Sequence, residues 1–461
     1  MTILPEGASG YDRDVGRRQL HFNVHVAGAG HHEGAWMHRT VDAAGVDEFS
    51  HFRALTKVAE RGTLDSIFLA DIPGTPPNVA FSGPMTHEPL THLSAVAAVT
   101  QHIGLIGTAT TSYYEPYNLA RLFASLDLLS SGRAGWNMVT TGLPMVARNF
   151  GDDPLPAHEA RYERADEFVE VVRSLWQSWD DGAVELDEVT GRYLDPERLR
   201  DIHHRGERFS VAGSLNVRPS PQGEPVRVQA GGSDRGLDFA ARHSEVVFTS
   251  QHDIRAAVAF AHDLRARARA LGRDPSSLLV LPGLSAIIGS SESEARAHAA
   301  ELDDLVRPAA SLALLSIQLG GFDVTQLDPD GPFPDLRHDP VATASRQRFR
   351  LITEKAWREN LTVAEVARWA ARGHGHRVVV GTPEQVADDI VTWFDAGAAD
   401  GFNLQPPVLP DGLTRFVDHV IPLLRSRGVF RREYESTTLR GHLGLPRERS
   451  TTRSSGRGDV K

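Results

Sequence analysis

Two short stretches bring together side chains able to hold a large polar molecule: Trp136-Asn137-Met138-Val139-Thr140 and His158-Glu159-Ala160-Arg161-Tyr162-Glu163-Arg164-Ala165. The first closes an apolar run and the second opens an amphipathic one. An aromatic ring, an amide, hydroxyls and a histidine are thereby placed at a strand end and a helix start. The other polar residues that terminate apolar runs extend the set: His25, Asp71, Thr108 with Thr110, Ser233, and Thr249 with Ser250. Most are neutral donors and acceptors. A rim of this kind suits many hydrogen bonds to a heteroaromatic ring system better than hydrolysis by paired carboxylates or a nucleophilic triad.

Gln229-Ala230-Gly231-Gly232-Ser233-Asp234 ends a strand and opens a helix. Gly231 and Gly232 let backbone N–H groups approach an anion and Ser233 adds a hydroxyl, so a phosphate fits here; ordinary turn and N-cap chemistry accounts for the same residues. Asp71 reads equally as a strand-end cap. His25, His31 and His32, with Glu33, invite a metal-site reading, but no His-x-x-x-His or comparable ligand spacing supports one, and no metal is expected. An acid, base or hydrogen-bond donor in a pocket is the better role for these three histidines, while His203, His204, His374 and His376 read as surface or core.

Eight short apolar runs must position these groups: 20–26, 66–70, 104–108, 134–139, 226–230, 246–249, 278–284 and 402–404. They alternate with helical patterns. The clearest is Ala165, Phe168, Val169, Val172, Leu175, Trp176 and Trp179, spaced three and four apart, with the two tryptophans as core. A second, from Leu413 to Leu424, contains Pro422 and is expected to kink there. Eight strand-helix units predict an α/β chain folded as a (β/α)8 TIM barrel, with chemistry at the carboxyl ends of the strands. A doubly wound sheet would need a Gly-x-Gly-x-x-Gly after its first strand, and none is present. Surplus length lies at 180–225, after the fourth helix, and at 289–381, after the seventh strand. Both are expected to form lids, entry walls or subunit contacts.

Composition narrows the class. The chain has 461 residues, 41% hydrophobic and 24% charged, enough for a large core. A formal charge of −11 argues against nucleic-acid or anionic-membrane partners, and the absence of cysteine removes disulfides and thiol chemistry. Residues 1–18 read as a mobile leader without signal-peptide character, 446–461 as a disordered tail, and 19–445 as one domain of a cytoplasmic protein.

Longer motifs carry a family likeness. They include Gly30-His31-His32-Glu33-Gly34-Ala35-Trp36, Phe68-Leu69-Ala70-Asp71, Glu115-Pro116-Tyr117-Asn118-Leu119-Ala120-Arg121, Ser131-Gly132-Arg133-Ala134-Gly135-Trp136-Asn137, Arg161-Tyr162-Glu163-Arg164-Ala165-Asp166-Glu167-Phe168 and Gly397-Ala398-Ala399-Asp400-Gly401-Phe402-Asn403-Leu404. Over residues 20–445 the chain resembles the bacterial luciferase-like flavin monooxygenases, in the branch of nitrilotriacetate monooxygenase, dibenzothiophene-sulfone monooxygenase and the pristinamycin synthase oxygenase subunit. The resemblance implies a (β/α)8 barrel that binds FMN as FMNH2, supplied by a separate NAD(P)H:flavin reductase. It implies insertion of one oxygen atom of O2 into a small N- or S-containing substrate through a C4a-peroxyflavin. Carried over, the FMN contacts are Asp71 near the isoalloxazine, Thr108 or Thr110, His158, Tyr162, Gly232 and Ser233 at the phosphate. Asn137 lines the ring pocket, and His25, His31 or His32 steers protons or positions substrate. The loop Thr141-Gly142-Leu143-Pro144 departs from relatives, which commonly continue with serine. Dimers or tetramers are implied. The rival readings are a deazaflavin-dependent oxidoreductase of the same superfamily and a non-catalytic flavin-binding subunit.

Overall fold

The computed structural model describes residues 18–75, 79–82, 87–337 and 346–447. The expected leader and tail therefore lie outside the described residues, apart from Arg18, Pro446 and Arg447. Arg18 is tied to the domain by Asp400 (3.2 Å), and Arg447 by Asp181 (2.9 Å).

Eight parallel strands form the barrel: β1 His21–His25, β2 Ser66–Leu69, β3 Gly104–Thr110, β4 Ala134–Val139, β5 Val226–Ala230, β6 Val246–Thr249, β7 Leu279–Ile288 and β8 Gly401–Leu404. Each pairs with its neighbours, and closure comes from β8 joining both β1 (His21↔Gly401) and β7 (Gly283↔Asn403). The expected (β/α)8 barrel is the fold. Closure leaves no strand edge open, and helices cover the outer face. That double burial is why the strands read as short apolar runs rather than alternating ones. A closed ring also demands close approach at one point: a Cβ on Gly401 would sit 1.8 Å from the His21 carbonyl oxygen, so only glycine fits.

Strands β4, β5 and β6 match their expected bounds. β3 runs on to Thr110 because Ala109 and Thr110 stay paired with Met138 and Val139. β7 runs on to Ile288, where it leaves β8 behind and pairs with an additional parallel strand, Arg377–Gly381. The sequence reading assigned that Val378-Val379-Val380 run to the insertion and missed it as a strand. The expected helix through Leu413 is broken into Asp411–Arg415, a π-turn Phe416–Val420 and Ile421–Ser426. Pro422 has no N–H for the helical ladder, and the ladder widens just before it.

Alternation along β4 sorts its residues. Trp136, grouped above with the binding side chains, points instead into the helix layer. It is fully buried against Phe123, Phe168 and Trp176, and its Nε1 donates to the Ala109 carbonyl (3.0 Å). Trp176 and Trp179 are buried as expected. The insertion at 180–225 forms two short hairpins, Val184–Asp187 with Arg192–Leu194 and His204–Arg205 with Ser210–Val211. Glu167 anchors the second by accepting from the Phe209 N–H (2.8 Å). The insertion after β7 is mostly helical, with its own core around Leu315, Phe349, Ile352 and Val366.

At the amino-terminal end of the barrel, Asp65 is fully buried. It accepts from the Phe22 N–H (2.6 Å), meets His21 Nδ1 (3.0 Å) and pairs with Arg431. Burial opposes its ionisation, but the Arg431 charge and His21 prevail and hold its pKa at about 2. Because the folded value lies below the ordinary one, the carboxylate stabilises the fold above about pH 4 and loses that effect as pH falls toward 2. Asp65→Asn is therefore expected to destabilise by about 3–5 kcal/mol at pH 7, by leaving Arg431 buried without its partner. Denaturant melts should show the gap to wild type narrowing as the pH is lowered from about 4 to 2.

Candidate active site

A cavity of about 380 Å³ opens at the carboxyl end of the barrel strands. Of the residues singled out from sequence, His25, Asp71, Thr108, Asn137, His158, Tyr162, Gly232 and Ser233 line it, as do Thr140, Thr249 and Ser250. Inward alternation brings Thr108 and Asn137, register partners on β3 and β4, side by side. Asn137 Nδ2 donates to Thr108 Oγ1 (2.9 Å), and Asn137 Oδ1 is buried without a partner. Gln229 Oε1 on β5 and Asn403 Oδ1 and Gln405 Oε1 at the end of β8 are buried and unpartnered in the same lining. Each such group costs about 1–3 kcal/mol if nothing satisfies it. Concentrated on one cavity, they form a surface built for a ligand rich in hydrogen-bonding atoms.

One wall of the cavity is suited to an anion. Gly231, Gly232 and Ser233 precede the helix Asp234–His243, and Ser233 Oγ caps it by accepting from the Gly236 N–H (3.0 Å). Ser233 is thus an N-cap that also lines the cavity. His158 and Tyr162 occupy the first turns of the helix His158–Trp176, with ring centres 4.9 Å apart. Arg161 adds a buried guanidinium that gives one hydrogen bond, from Nη1 to the Thr141 carbonyl (2.7 Å), while its Nε has no partner. Burial lowers its pKa.

Electrostatics in the lining run against ionisation. Burial, aided by Glu88, raises the Asp71 pKa to about 6. His25 is held well below its usual value by burial and by His31 beside it. Its ring lies 4.7 Å from that of Phe68 and 4.3 Å from that of His31, and its Nε2 is buried without a partner. The cavity thus presents neutral imidazole at physiological pH.

The other three expected site residues sit outside the lining. Thr110 shares a hydrogen bond with Thr141 Oγ1 (2.7 Å) and braces the loop after β4. His31 packs behind His25 and donates from Nε2 to the His25 carbonyl (3.1 Å), with burial and His374 lowering its pKa to about 3. His32 accepts from the Gly34 N–H at Nδ1 (3.1 Å) and gives Nε2–H to Asp303 (3.3 Å), tying the loop after β1 to the insertion. Sequence reasoning missed Arg161, Gln229, Arg348, His376, Asn403 and Gln405. Arg161 and Asn403 lay within quoted motifs and Gln229 two residues before the glycine pair. Arg348 and His376 come from the insertion, where no local pattern marks them.

Comparison with known proteins places this geometry. The model of the luciferase-like monooxygenase family matches residues 23–400. The chain is 45% identical over 433 residues to N-acetyl-S-(2-succino)cysteine monooxygenase of Bacillus subtilis (93% of this chain, 97% of that protein). It is 44% identical over 441 residues to nitrilotriacetate monooxygenase component A of Aminobacter aminovorans (92% and 96%). The crystal structure of a riboflavin lyase with modified FMN and riboflavin superposes with a TM-score of 0.83 at 35% identity, covering 93% of this chain and 96% of that one. With a closed barrel, a polar cavity at its carboxyl rim and likeness over nearly the whole chain, the protein belongs to the luciferase-like monooxygenase family and is a flavin-dependent monooxygenase.

Proposed function

We propose that the cavity binds reduced FMN delivered by a separate NAD(P)H:flavin reductase, and that one atom of O2 is inserted into a small nitrogen- or sulfur-containing substrate. The observation that carries this reading is the set of buried, unpartnered amide oxygens around one cavity whose far wall offers Gly232, Ser233 and Arg161 to a phosphate. A polar tricyclic ring with a phosphorylated tail fits that combination. The relatives' names support the rest, since nitrilotriacetate contains nitrogen, the succinocysteine contains sulfur, and "component A" denotes one part of a larger system.

When bound, the reduced flavin supplies the electrons that activate O2, with the second oxygen atom leaving as water. The chain's residues do the rest. Ser233, Tyr162, His158 and Arg161 fix the phosphate end, and Thr108, Asn137 and Asp71 orient the ring. The insertion after β7 supplies Arg348 and His376 to the lining and so helps to exclude water. His25, held neutral, offers its buried Nε2 as a hydrogen-bond donor or acceptor according to its tautomer and so can position a group at the ring. No helix among the described residues is long and apolar enough to cross a membrane.

The direct test is a screen of N- and S-containing compounds with FMN, NADH and a flavin reductase under 18O2, read by mass spectrometry. One labelled atom in a product supports the proposal. Clear preference for a deazaflavin over reduced FMN in titrations, or FMN binding with no turnover across the screen, would replace it with one of the rival readings.

Ser233→Ala is expected to weaken reduced-FMN binding about 10-fold and Arg161→Gln about 10- to 100-fold, while binding of riboflavin, which lacks the phosphate, stays nearly constant. Equal losses for both flavins would remove the phosphate assignment. Asp71 makes a pH-dependent prediction. Its folded pKa of about 6 lies above the ordinary 3.8, so the ionised carboxylate destabilises the flavin-free fold at high pH and the strain is relieved as pH falls from about 6 to 4. Asp71→Asn should therefore raise Tm by about 1–2 °C at pH 8, the effect being softened by partial solvent exposure, and have no effect at pH 4.

A further inference from the structure

Several buried guanidinium groups away from the cavity are matched among the described residues. Arg431 pairs with Asp65, and Arg440 and Arg227 share Glu245. Arg133, which has no such carboxylate contact, gives its N–H groups to the carbonyls of Ser130, Ile103, Ala97 and Thr100. Arg348, on the helix Arg346–Glu359 of the insertion after β7, lines the same cavity as Asn137 and has no such arrangement. Its Nε is buried without a partner, and its Nη2 lies 3.5 Å from His376 Nε2. No carboxylate among the described residues pairs with it. Glu33, which approaches the neighbouring histidines, faces His374 at 3.3 Å.

No described group beside Arg348 lends it negative charge. Burial, then Arg348 itself and His31, keep His376 well below its usual pKa, and burial lowers that of Arg348. His376 has its own unpartnered atom, Nδ1. The ring is held over Gly283 on β7, where a Cβ would lie 2.2 Å from that Nδ1. If Nε2 accepts from Arg348, the proton resides on Nδ1, and the pair offers a cavity ligand a guanidinium fork plus one imidazole N–H. His25 Nε2, also unpartnered, is in the same lining. A half-buried guanidinium with a sealed Nε and no facing carboxylate is costly unless an anion arrives to compensate it.

The flavin phosphate does not serve that purpose in the reading above. Its cradle, Arg161 with Gly232 and Ser233, follows β4 and β5, whereas Arg348 follows β7, on another sector of the ring. We propose that the substrate of this monooxygenase carries a carboxylate that docks on Arg348 and His376, which makes Arg348 a specificity-determining residue. The proposal rests on the reading of the cavity as a reduced-FMN site. A planar carboxylate matches the guanidinium fork in two parallel hydrogen bonds, so this contact would fix orientation as well as affinity.

The test uses the full-length protein loaded anaerobically with reduced FMN. Calorimetric titration with thiodiacetate, iminodiacetate and N-acetylmethionine is compared with titration by their methyl esters. At least one acid is expected to bind at least about 10-fold more tightly than its ester. Arg348→Gln should reduce that acid's affinity about 10- to 100-fold while leaving ester and reduced-FMN binding unchanged. Arg348→Lys, which keeps the charge and loses the fork, should fall between the two and serves if the glutamine variant does not fold. Acids and esters binding alike, no acid binding at all, or an acid affinity indifferent to both substitutions overturns the proposal. An equal loss of reduced-FMN affinity in Arg348→Gln also overturns it, because the guanidinium would then serve the flavin. Wild-type protein that fails to bind reduced FMN removes the cofactor reading itself, whereas retained flavin with a charge-blind panel removes only the carboxylate.

Discussion

Closure of the parallel sheet is the constraint on which everything else depends. Once β8 pairs with both β1 and β7, all eight strands run in one direction around a ring and their carboxyl ends share a single rim. Residues far apart in sequence, His25, Asp71, Asn137 and Gln405, become neighbours around one cavity. Strand alternation then decides which residues reach it. On β4 it sends Asn137 inward and Trp136 outward, so adjacent residues serve binding and core packing respectively.

The two ends of the barrel treat buried charge in opposite ways. At the amino-terminal end Asp65 and Glu245 are ionised, held at about pKa 2, and locked to arginines that stitch the carboxyl-terminal segment to the barrel. At the carboxyl rim the same burial acts without compensation: Asp71 is raised to about 6, His25 is kept neutral, and Arg161 and Arg348 lack carboxylate partners among the described residues. One end is stable as it stands. The other is left with desolvation that ligands can relieve, the expected distribution when strain collects at a functional site rather than in the supporting structure.

The insertion after β7 links these features. β7 outruns the barrel by pairing with Arg377–Gly381, and this extension carries His376 and, through the packed helices, Arg348 to the cavity. His32 and Arg372 both hold Asp303, fastening the loop after β1 to the same insertion. The barrel core thus supplies the neutral polar groups of the cavity, and the inserted element supplies a guanidinium and an imidazole to the same lining. Variation in such an insertion can change specificity without disturbing the ring beneath it.

The strands were legible from local apolar runs because each is buried on both faces, and β4, β5 and β6 could be bounded from sequence alone. The polar residues ending those runs were legible for the same reason, since a strand's last inward position must face the rim. Family likeness in motifs such as Arg161-Tyr162-Glu163-Arg164 added the expected cofactor. What the chain's order could not convey was contact between distant segments. His31 and His32 resembled His25 in type and position, yet the turn at Gly30 places one behind the lining and the other against Asp303. Arg348 sits on a helix whose periodicity marks only the insertion's own core, and His376 beside a strand that exists because β7 extends past β8. Periodicity reports how a segment buries its own apolar face; which polar side chains meet across a cavity is fixed only when the ring closes and the insertion packs onto it.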